Sequence, residues 1–304
     1  MHMREVMVVQ RSWSKNINFN MNILITGARS FIGRNLNRMF FEENEHNVFA
    51  MSHKDLDMTN QEAVRHFFDR HNIDVVIHCA IKGGKRGVED TYRDFVDNLA
   101  MFNNLLENKN KYGRLINFCS GAAFDRRYDI NNMWHRELYE RMPIDYYGLS
   151  KNIIAKEIVK HEKIINMRLY GCFGEDEGEQ RFIKRSIKKS LREESIVIDR
   201  IKFMDFFHIN DVFEVVRYHI ENNINEREMD LVYRSNELSS LLGIALKIKD
   251  LTGSDKDVIE LNEEWGPRYY GNCKILKRLG IKIKGFDYWL KREVEIARQK
   301  STDS

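Results

Sequence analysis

The chain is poor in residues that interrupt or staple a fold. Only two prolines, Pro143 and Pro267, stand in 304 residues, which excludes a Pro-rich linker. Four cysteines, Cys79, Cys119, Cys172 and Cys273, lie far apart without Cys-x-x-Cys spacing. That argues against both a zinc site and a disulfide framework. Ten histidines include no His-Glu-x-x-His or similar pair, so no metal is expected. No apolar run approaches the roughly 18 residues that cross a bilayer. Charge of one sign is also missing. Lys+Arg 49 against Asp+Glu 46 leaves +3, too small an excess to call for nucleic acid or a membrane. What remains is 42% hydrophobic, 11% aromatic and 31% charged, the composition of a globular protein. With no secretory signal, the thiols are expected to be reduced and the protein cytoplasmic.

The pattern is strongest from Met21 onward, and residues 1–20 are expected to be a disordered extension. Short apolar runs at 22–26, 48–51, 74–80, 114–120 and 164–169 read as strands. Helical spacing fills 31–43, 61–71, 91–108 and 147–161. Strands separated by single helices predict an α/β fold, a doubly wound parallel (Rossmann) sheet. After Tyr170 the rhythm breaks. A loop at 171–179, a basic helix at 181–192 and a strand at 196–198 begin a smaller, mixed α/β substrate lobe. A strand at 230–233 returns to the main sheet, and small helices follow near 241–248 and 275–279. The expected division is 21–170 plus about 203–235 for the dinucleotide-binding domain. The lobe takes about 171–202 plus 236–298, and 299–304 is a tail.

Thr26-Gly27-Ala28-Arg29-Ser30-Phe31-Ile32-Gly33 reads as strand end, tight turn and helix start. Gly27 allows the turn and close approach of a pyrophosphate, and Gly33 lets the helix pack on the strand. The helix N-terminus supplies amides and positive dipole. Ser30 holds the position of the usual middle glycine, and a plain strand–turn–helix would look the same. The second strand runs into Ser52-His53-Lys54 with no acid before Asp55. Donors and a cation there, with Arg29, suit a 2′-phosphate, so NADPH is preferred to NADH or NAD. Arg29 and Lys54 also read as solvated surface charges.

Tyr147 and Lys151 form a Tyr-x-x-x-Lys pair on one helix face. The Lys151 ammonium is expected to draw the Tyr147 phenol down toward working pH. Such a phenol exchanges a proton with a carbinol oxygen during hydride transfer. Ser120, at a strand's C-terminal end and 27 residues earlier, is placed to bond the same oxygen. Tyr-x-x-x-Lys alone is common; the order of glycine turn, strand-end Ser, Tyr and Lys gives it force.

With these residues in place, the chain resembles the extended short-chain dehydrogenase/reductases of the nucleotide-sugar branch. The likeness runs from Met21 almost to the C-terminus. It takes in the 26–33 turn, Asp57-Met58, Asn98, Ser120, and Pro143 leading to Tyr147 and Lys151. The segment 203–212 follows the family's Arg-Asp-Phe-x-x-Val-x-Asp-Val, with Met204 replacing Arg. The segment 272–280 follows its Asp-x-x-Lys-x-x-x-x-Leu-Gly. The resemblance implies that Asp57, Met58, Cys79, Ala80, Ile81, Asn98 and Leu169 also line the cofactor. It places Ala122, Gly171, Arg181, Lys202, Asp205 and Arg268 on the substrate side. Gly171 stands where relatives carry Asn.

The chemistry divides by local sequence. Similar 4,6-dehydratases carry an Asp-Glu pair after the strand-end Ser/Thr; here Gly121-Ala122 offers no carboxylate. Bifunctional epimerase-reductases place a Cys at the position of Ala122 and a His beyond the fifth strand; neither is present. Only five residues separate Met51 from Asp57, a short link that resembles dTDP-4-dehydrorhamnose reductase and GDP-fucose synthase. The expected reaction is NADPH-dependent reduction of a nucleotide-activated 4-keto deoxysugar, with Tyr147 giving the proton. The alternatives are a 4-epimerase with tightly bound NAD, a catalytically dead ligand sensor, and nucleic-acid binding by the 181–192 cations. His208 is expected to be structural and Cys119 to face away from Ser120. Helices 91–108 and 147–161 resemble those that pair in dimeric relatives, so a homodimer is expected.

Overall fold

The computed structural model describes residues 20–85, 87–222, 225–233, 240–262 and 264–302. The extension expected at 1–20 therefore lies almost wholly outside the described residues, as does the lobe boundary expected at 235. In chain order the elements are β1 (Asn22–Thr26), α1 (Phe31–Glu43), β2 (Asn47–Met51), α2 (Gln61–Arg70), β3 (Ile73–His78), α3 (Tyr92–Glu107) and β4 (Tyr112–Ser120). Next come β5 (Ile130–Asn131), α4 (Tyr146–Ile158), β6 (Ile164–Leu169), β7 (Cys172–Phe173), α5 (Phe182–Leu191) and β8 (Ile196–Ile198). The rest are β9 (Phe207–His208), α6 (Ile209–Glu221), β10 (Glu228–Leu231), α7 (Leu241–Thr252), β11 (Val258–Glu260), β12 (Tyr269–Tyr270), α8 (Lys274–Leu279) and α9 (Phe286–Thr302).

Six strands form one parallel sheet in the order β10-β6-β4-β3-β1-β2. The order reverses between β1 and β3, and that switch point is where such sheets open a crevice at their C-terminal ends. The strands are apolar runs because both faces are covered. On one face Ile23, Ile25, Val75 and Ile116 meet Leu36 and Phe40 of α1 and Val212 and Val216 of α6. On the other, Leu24, Val76 and Leu115 meet Val64 of α2, Phe102 of α3 and Ile154 of α4. Each such fully buried side chain contributes roughly 1.5–3 kcal/mol. Helix starts are fixed locally. Ser30 caps α1 through the Gly33 amide, Thr91 and Asp94 form a capping box on α3, and Asp145 caps α4 through the Gly148 amide.

The segments assigned to the second lobe share a separate apolar cluster. Ile183 and Ile187 of α5, Ile196 and Ile198 of β8, Ile244 and Ile248 of α7, and Leu290 and Val294 of α9 pack together. α8 differs from its sequence assignment to this lobe, because Leu276 packs into the sheet's core. The tail expected from 299 is also corrected: α9 continues to Thr302, with Ser301 Oγ donating to Ala297 O at 2.9 Å. No described helix is long and apolar enough to cross a membrane. No cluster of His, Cys, Asp or Glu among the described residues has the geometry of a metal site.

Candidate active site

The first part of the site is made of backbone. β1 ends at Thr26, whose Oγ1 lies 2.8 Å from His78 Nδ1 across the switch point. Burial holds His78 down to about 3, so the ring is neutral. Gly27 takes φ +64, and a Cβ there would stand 2.6 Å from the Ala80 backbone. A Cβ on Gly33 would come 2.4 Å from Gly27 O. Both glycines are thus demanded by close approach. Ser30 Oγ accepts from Gly33 N at 3.1 Å, so the serine in the usual glycine position is the cap of α1. Phe31 and Ile32 form the first turn behind it and pack against the core. This cradle fits a dinucleotide pyrophosphate.

Around it the predicted cofactor residues differ in what they offer. Arg29, His53 and Lys54 are exposed beside the turn. Ser52 is buried, and its amide and hydroxyl both donate to Asp55 Oδ2, at 2.9 and 2.5 Å. Those bonds hold the Asp55 carboxyl below its ordinary value. The strand end therefore carries a carboxylate after all, and Ser52 is committed to it. Asp57 accepts from the Thr59 amide and hydroxyl, while Met58 is buried. Cys79 is buried, Ala80 N donates to Thr26 Oγ1 at 3.3 Å, and Ile81 is exposed. Asn98 is occupied as a clamp. It accepts from Lys82 N at 2.8 Å and donates to Lys82 O and Ser150 Oγ, tying the loop after β3 to α4. Leu169 is buried at the end of β6, in register with Ser120.

At the C-terminal end of β4 the predicted catalytic residues meet. Ser120 Oγ accepts from Ala122 N at 3.2 Å and is one of the groups that oppose the upward shift of the Tyr147 phenol. Lys151 is buried; its Nζ donates to Phe118 O at 2.7 Å and stands 5.9 Å from the centre of the Tyr147 ring. The expected effect of Lys151 on Tyr147 is corrected. Burial pushes the phenol above its ordinary value, and the groups opposing this are Ser120 and Arg126. Burial also lowers Lys151. A phenol kept neutral is the form that gives a proton away. Cys119, the neighbour of Ser120, faces the core as alternation requires.

Three residues at the site had no signal in the sequence pattern. Tyr269, on the two-residue strand β12, brings its hydroxyl 3.2 Å from Ser120 Oγ. Arg126 pairs with Asp145 at 2.9 Å and is held above its ordinary value against burial by Asp145, Tyr269 and Tyr147. Gly84, at φ +68, lies against the Tyr147 ring, where a Cβ would come within 2.8 Å.

The substrate-side predictions separate. Ala122 contributes its amide to Ser120. Lys202 Nζ lies 5.6 Å from the Tyr269 ring centre, and Asp205 N donates to Tyr269 O at 3.3 Å. Arg268 lies over Phe203, 5.9 Å from the ring centre, and 4.0 Å from Asp129. Gly171 is buried beneath Phe206, where a Cβ would come within 2.6 Å, so the asparagine of relatives has no room. Arg181 is engaged with Glu177 at 3.9 Å. His208 is structural, stacked on Trp289 at 4.0 Å and bonded to Glu293 at 3.0 Å.

Comparison with known proteins shows the family and the fold. A probable dTDP-4,6-dihydroxy-2-methyloxan-3-one 4-ketoreductase from Streptomyces antibioticus is 43% identical over 60 residues, 20% of each chain. GDP-L-fucose synthase from Azorhizobium caulinodans is 32% identical over 106 residues, 34% of each chain. The chain thus matches between a fifth and about a third of the length of these curated relatives. A GDP-mannoheptose C4 reductase from Campylobacter jejuni, solved with NADP, superposes with TM-score 0.76 at 18% identity, over 92% of this chain and 98% of that one. A UDP-glucose 4-epimerase from Thermotoga maritima, solved with UDP-glucose, gives 0.74 at 20%, over 92% and 99%. These identities establish a shared fold. The model of the NAD dependent epimerase/dehydratase family matches residues 23–231, from the start of β1 through the Ser120, Tyr147 and Lys151 group to the end of β10, and the chain belongs to that family.

Proposed function

We propose that this protein is an NADPH-dependent reductase of a nucleotide-linked 4-ketosugar. One observation carries the reading: Ser120 and a neutral, half-buried Tyr147 stand together at the sheet's C-terminal edge with no carboxylate at Gly121-Ala122. Carbonyl reduction needs one proton donor and no further acid or base; dehydration needs both. The printed names of the Streptomyces ketoreductase and the Campylobacter C4 reductase support the same class.

NADPH, when bound, supplies a hydride to the carbonyl carbon. The chain's own residues do the rest. Gly27 and Gly33 make room for the pyrophosphate, and Arg29, His53 and Lys54 face the adenosine end. Ser120 orients the ketone oxygen, and Tyr147 gives it a proton as the C–H bond forms, leaving an alcohol. Lys151, tethered to Phe118 O, places its charge beneath the ring as phenolate character develops. Lys202, beside the Tyr269 ring, and Arg268, over Phe203, are the cations this reading assigns to a diphosphate.

A second reading, a 4-epimerase holding NAD, is favoured by the Asp55 carboxylate at the end of β2. The test combines turnover and titration. With NADPH and a panel of nucleotide-linked 4-ketosugars, the reductase consumes cofactor stoichiometrically. It binds NADPH at least about tenfold more tightly than NADH, the value of one charge-assisted phosphate pair. Protein that purifies with stoichiometric NAD and interconverts two nucleotide sugars without added cofactor is the epimerase.

We also infer a cytoplasmic homodimer. Tyr92 and Val96 on α3, Tyr146 on α4 and Ile144 just before it are exposed, and Tyr92, Phe95 and Tyr146 form one aromatic cluster with centroids 5.9–6.2 Å apart. Such a face is apolar enough to be covered by a second copy. Sedimentation velocity at micromolar concentration decides between dimer and monomer.

A further inference from the structure

Ser120 has one hydroxyl proton and two acceptor lone pairs, and three groups compete for them. The Ala122 amide donates to its oxygen at 3.2 Å. The Tyr269 hydroxyl lies 3.2 Å from the same oxygen, reached across 149 residues of sequence. Tyr147 is the third group, its upward shift opposed by Ser120. Burial raises the Tyr269 phenol above its ordinary value, so it keeps a proton that it can give in this contact. When Tyr269 gives it to Ser120, both Ser120 lone pairs are filled. The single Ser120 proton must then point to Tyr147 or to a substrate oxygen beside it.

The Tyr269 ring is held from several sides. Its amide donates to Phe203 O at 2.9 Å and its carbonyl accepts from Asp205 N at 3.3 Å. The Tyr170 ring meets it edge-on, with centroids 5.1 Å apart. Tyr170 in turn donates to Asp230 Oδ2 at 3.1 Å, and the Asn272 amide donates to the same oxygen at 2.8 Å. Gly121 makes the arrangement possible. A Cβ there would come within 2.4 Å of Tyr170 and 3.0 Å of the Tyr269 Cζ. Gly121 therefore leaves space that this aromatic pair fills.

We propose that Tyr269 is a positioning residue that fixes Ser120 as a hydrogen-bond donor, so that the proton of Tyr147 is the one directed at the ketone oxygen. The role rests on the reductase reading above. Without Tyr269 the Ser120 hydroxyl can rotate to accept from Tyr147, which would draw that proton away from substrate.

Tyr269→Phe keeps the ring and its packing and removes only the hydroxyl. The expected result is a kcat about 10- to 100-fold lower, with KM within about threefold and NADPH affinity unchanged. The double variant Ser120→Ala with Tyr269→Phe should be no slower than Ser120→Ala alone, because Tyr269 acts only through that serine. Additive losses overturn the proposal, as does a KM effect with kcat intact, which would make Tyr269 a sugar contact. If wild-type protein reduces no 4-ketosugar, the reductase reading fails by itself. The positioning claim is then judged without substrate, by carbon-13 NMR of tyrosine-labelled protein with the Tyr147 resonance assigned through Tyr147→Phe. A displaced Tyr147 resonance in Tyr269→Phe supports the proposal, and an unmoved one overturns it.

Discussion

The cradle after β1 and the ribbon beside Ser120 are built on different principles. The cradle at Gly27–Gly33 is backbone geometry: a left-handed turn, a close approach and a capped helix on a six-stranded sheet. The ribbon is side chains carried on strands of two residues, β5 and β12, and held by aromatic contacts and a buried ion pair. Backbone geometry tolerates few residue types and performs the same task in any relative. A side-chain ribbon can be rewritten residue by residue. On the proposed function, binding of the cofactor and choice of the substrate are thereby separable in one chain.

Substitutions on each side should split along that line. Tyr147→Phe removes the proton donor without touching the cradle. Turnover should fall by about 10²–10⁴ while NADPH affinity, read by nicotinamide fluorescence, stays within error. Wild-type turnover would remove Tyr147 from the mechanism. Arg168→Leu attacks the foundation of the ribbon. Arg168 is buried on β6, paired with Asp230 and, at 3.0 Å, with Glu228. Removing one partner of a buried pair costs about 3–5 kcal/mol, measurable by urea unfolding. A loss below about 1 kcal/mol would mean that the pair only breaks even with its desolvation. Gly33→Ala tests the other region. Its Cβ must displace the Gly27 carbonyl, at about 1–3 kcal/mol of strain, and NADPH affinity should fall sharply with the second lobe intact. Unchanged affinity would show the cradle to be less exacting than its contacts suggest.

The smallest effect concerns pH. Burial pushes Glu177 up to about 8 from an ordinary 4.5, with Arg181 opposing. Between about pH 4.5 and 8 the folded state then keeps a proton that the unfolded state releases. The stabilisation is complete below that window and is lost as pH rises through it. Glu177→Gln should flatten this fall and leave the variant more stable than wild type above pH 8, by about 1–3 kcal/mol. Parallel stability curves for the two proteins would show that Glu177 ionises without cost.

Legibility followed the same division. The apolar runs of β1, β3, β4 and β6 and the helical spacing between them predicted the sheet, because those strands are covered on both faces. The order Gly27, Ser120, Tyr147, Lys151 was legible because a glycine turn, a strand end and one helix face each leave a local mark in the sequence. β5, β7, β9 and β12 are two residues long and leave no periodic trace. Tyr269 reads as one of two tyrosines after a proline, and only the fold brings it to Ser120. Arg126 is one arginine of a pair in a loop. α9 was legible in principle: Phe286, Leu290, Val294 and Ala297 recur at helical spacing and face the lobe's core. Ser52 misled, since a donor at a strand end looks available until Asp55 folds back onto it.

The anchoring of Asn272 and Tyr170 on Asp230 has a mechanical consequence. Asp230 belongs to β10, an edge strand of the sheet, so the ribbon bearing Tyr269 is fastened to the sheet. β12 is also laced to Phe203 and Asp205. Any opening of the outer lobe that preserves these bonds must pivot beyond them, outward of Phe203 and Arg268. Such a motion leaves the hydroxyl groups of Ser120 and Tyr269 at their present spacing.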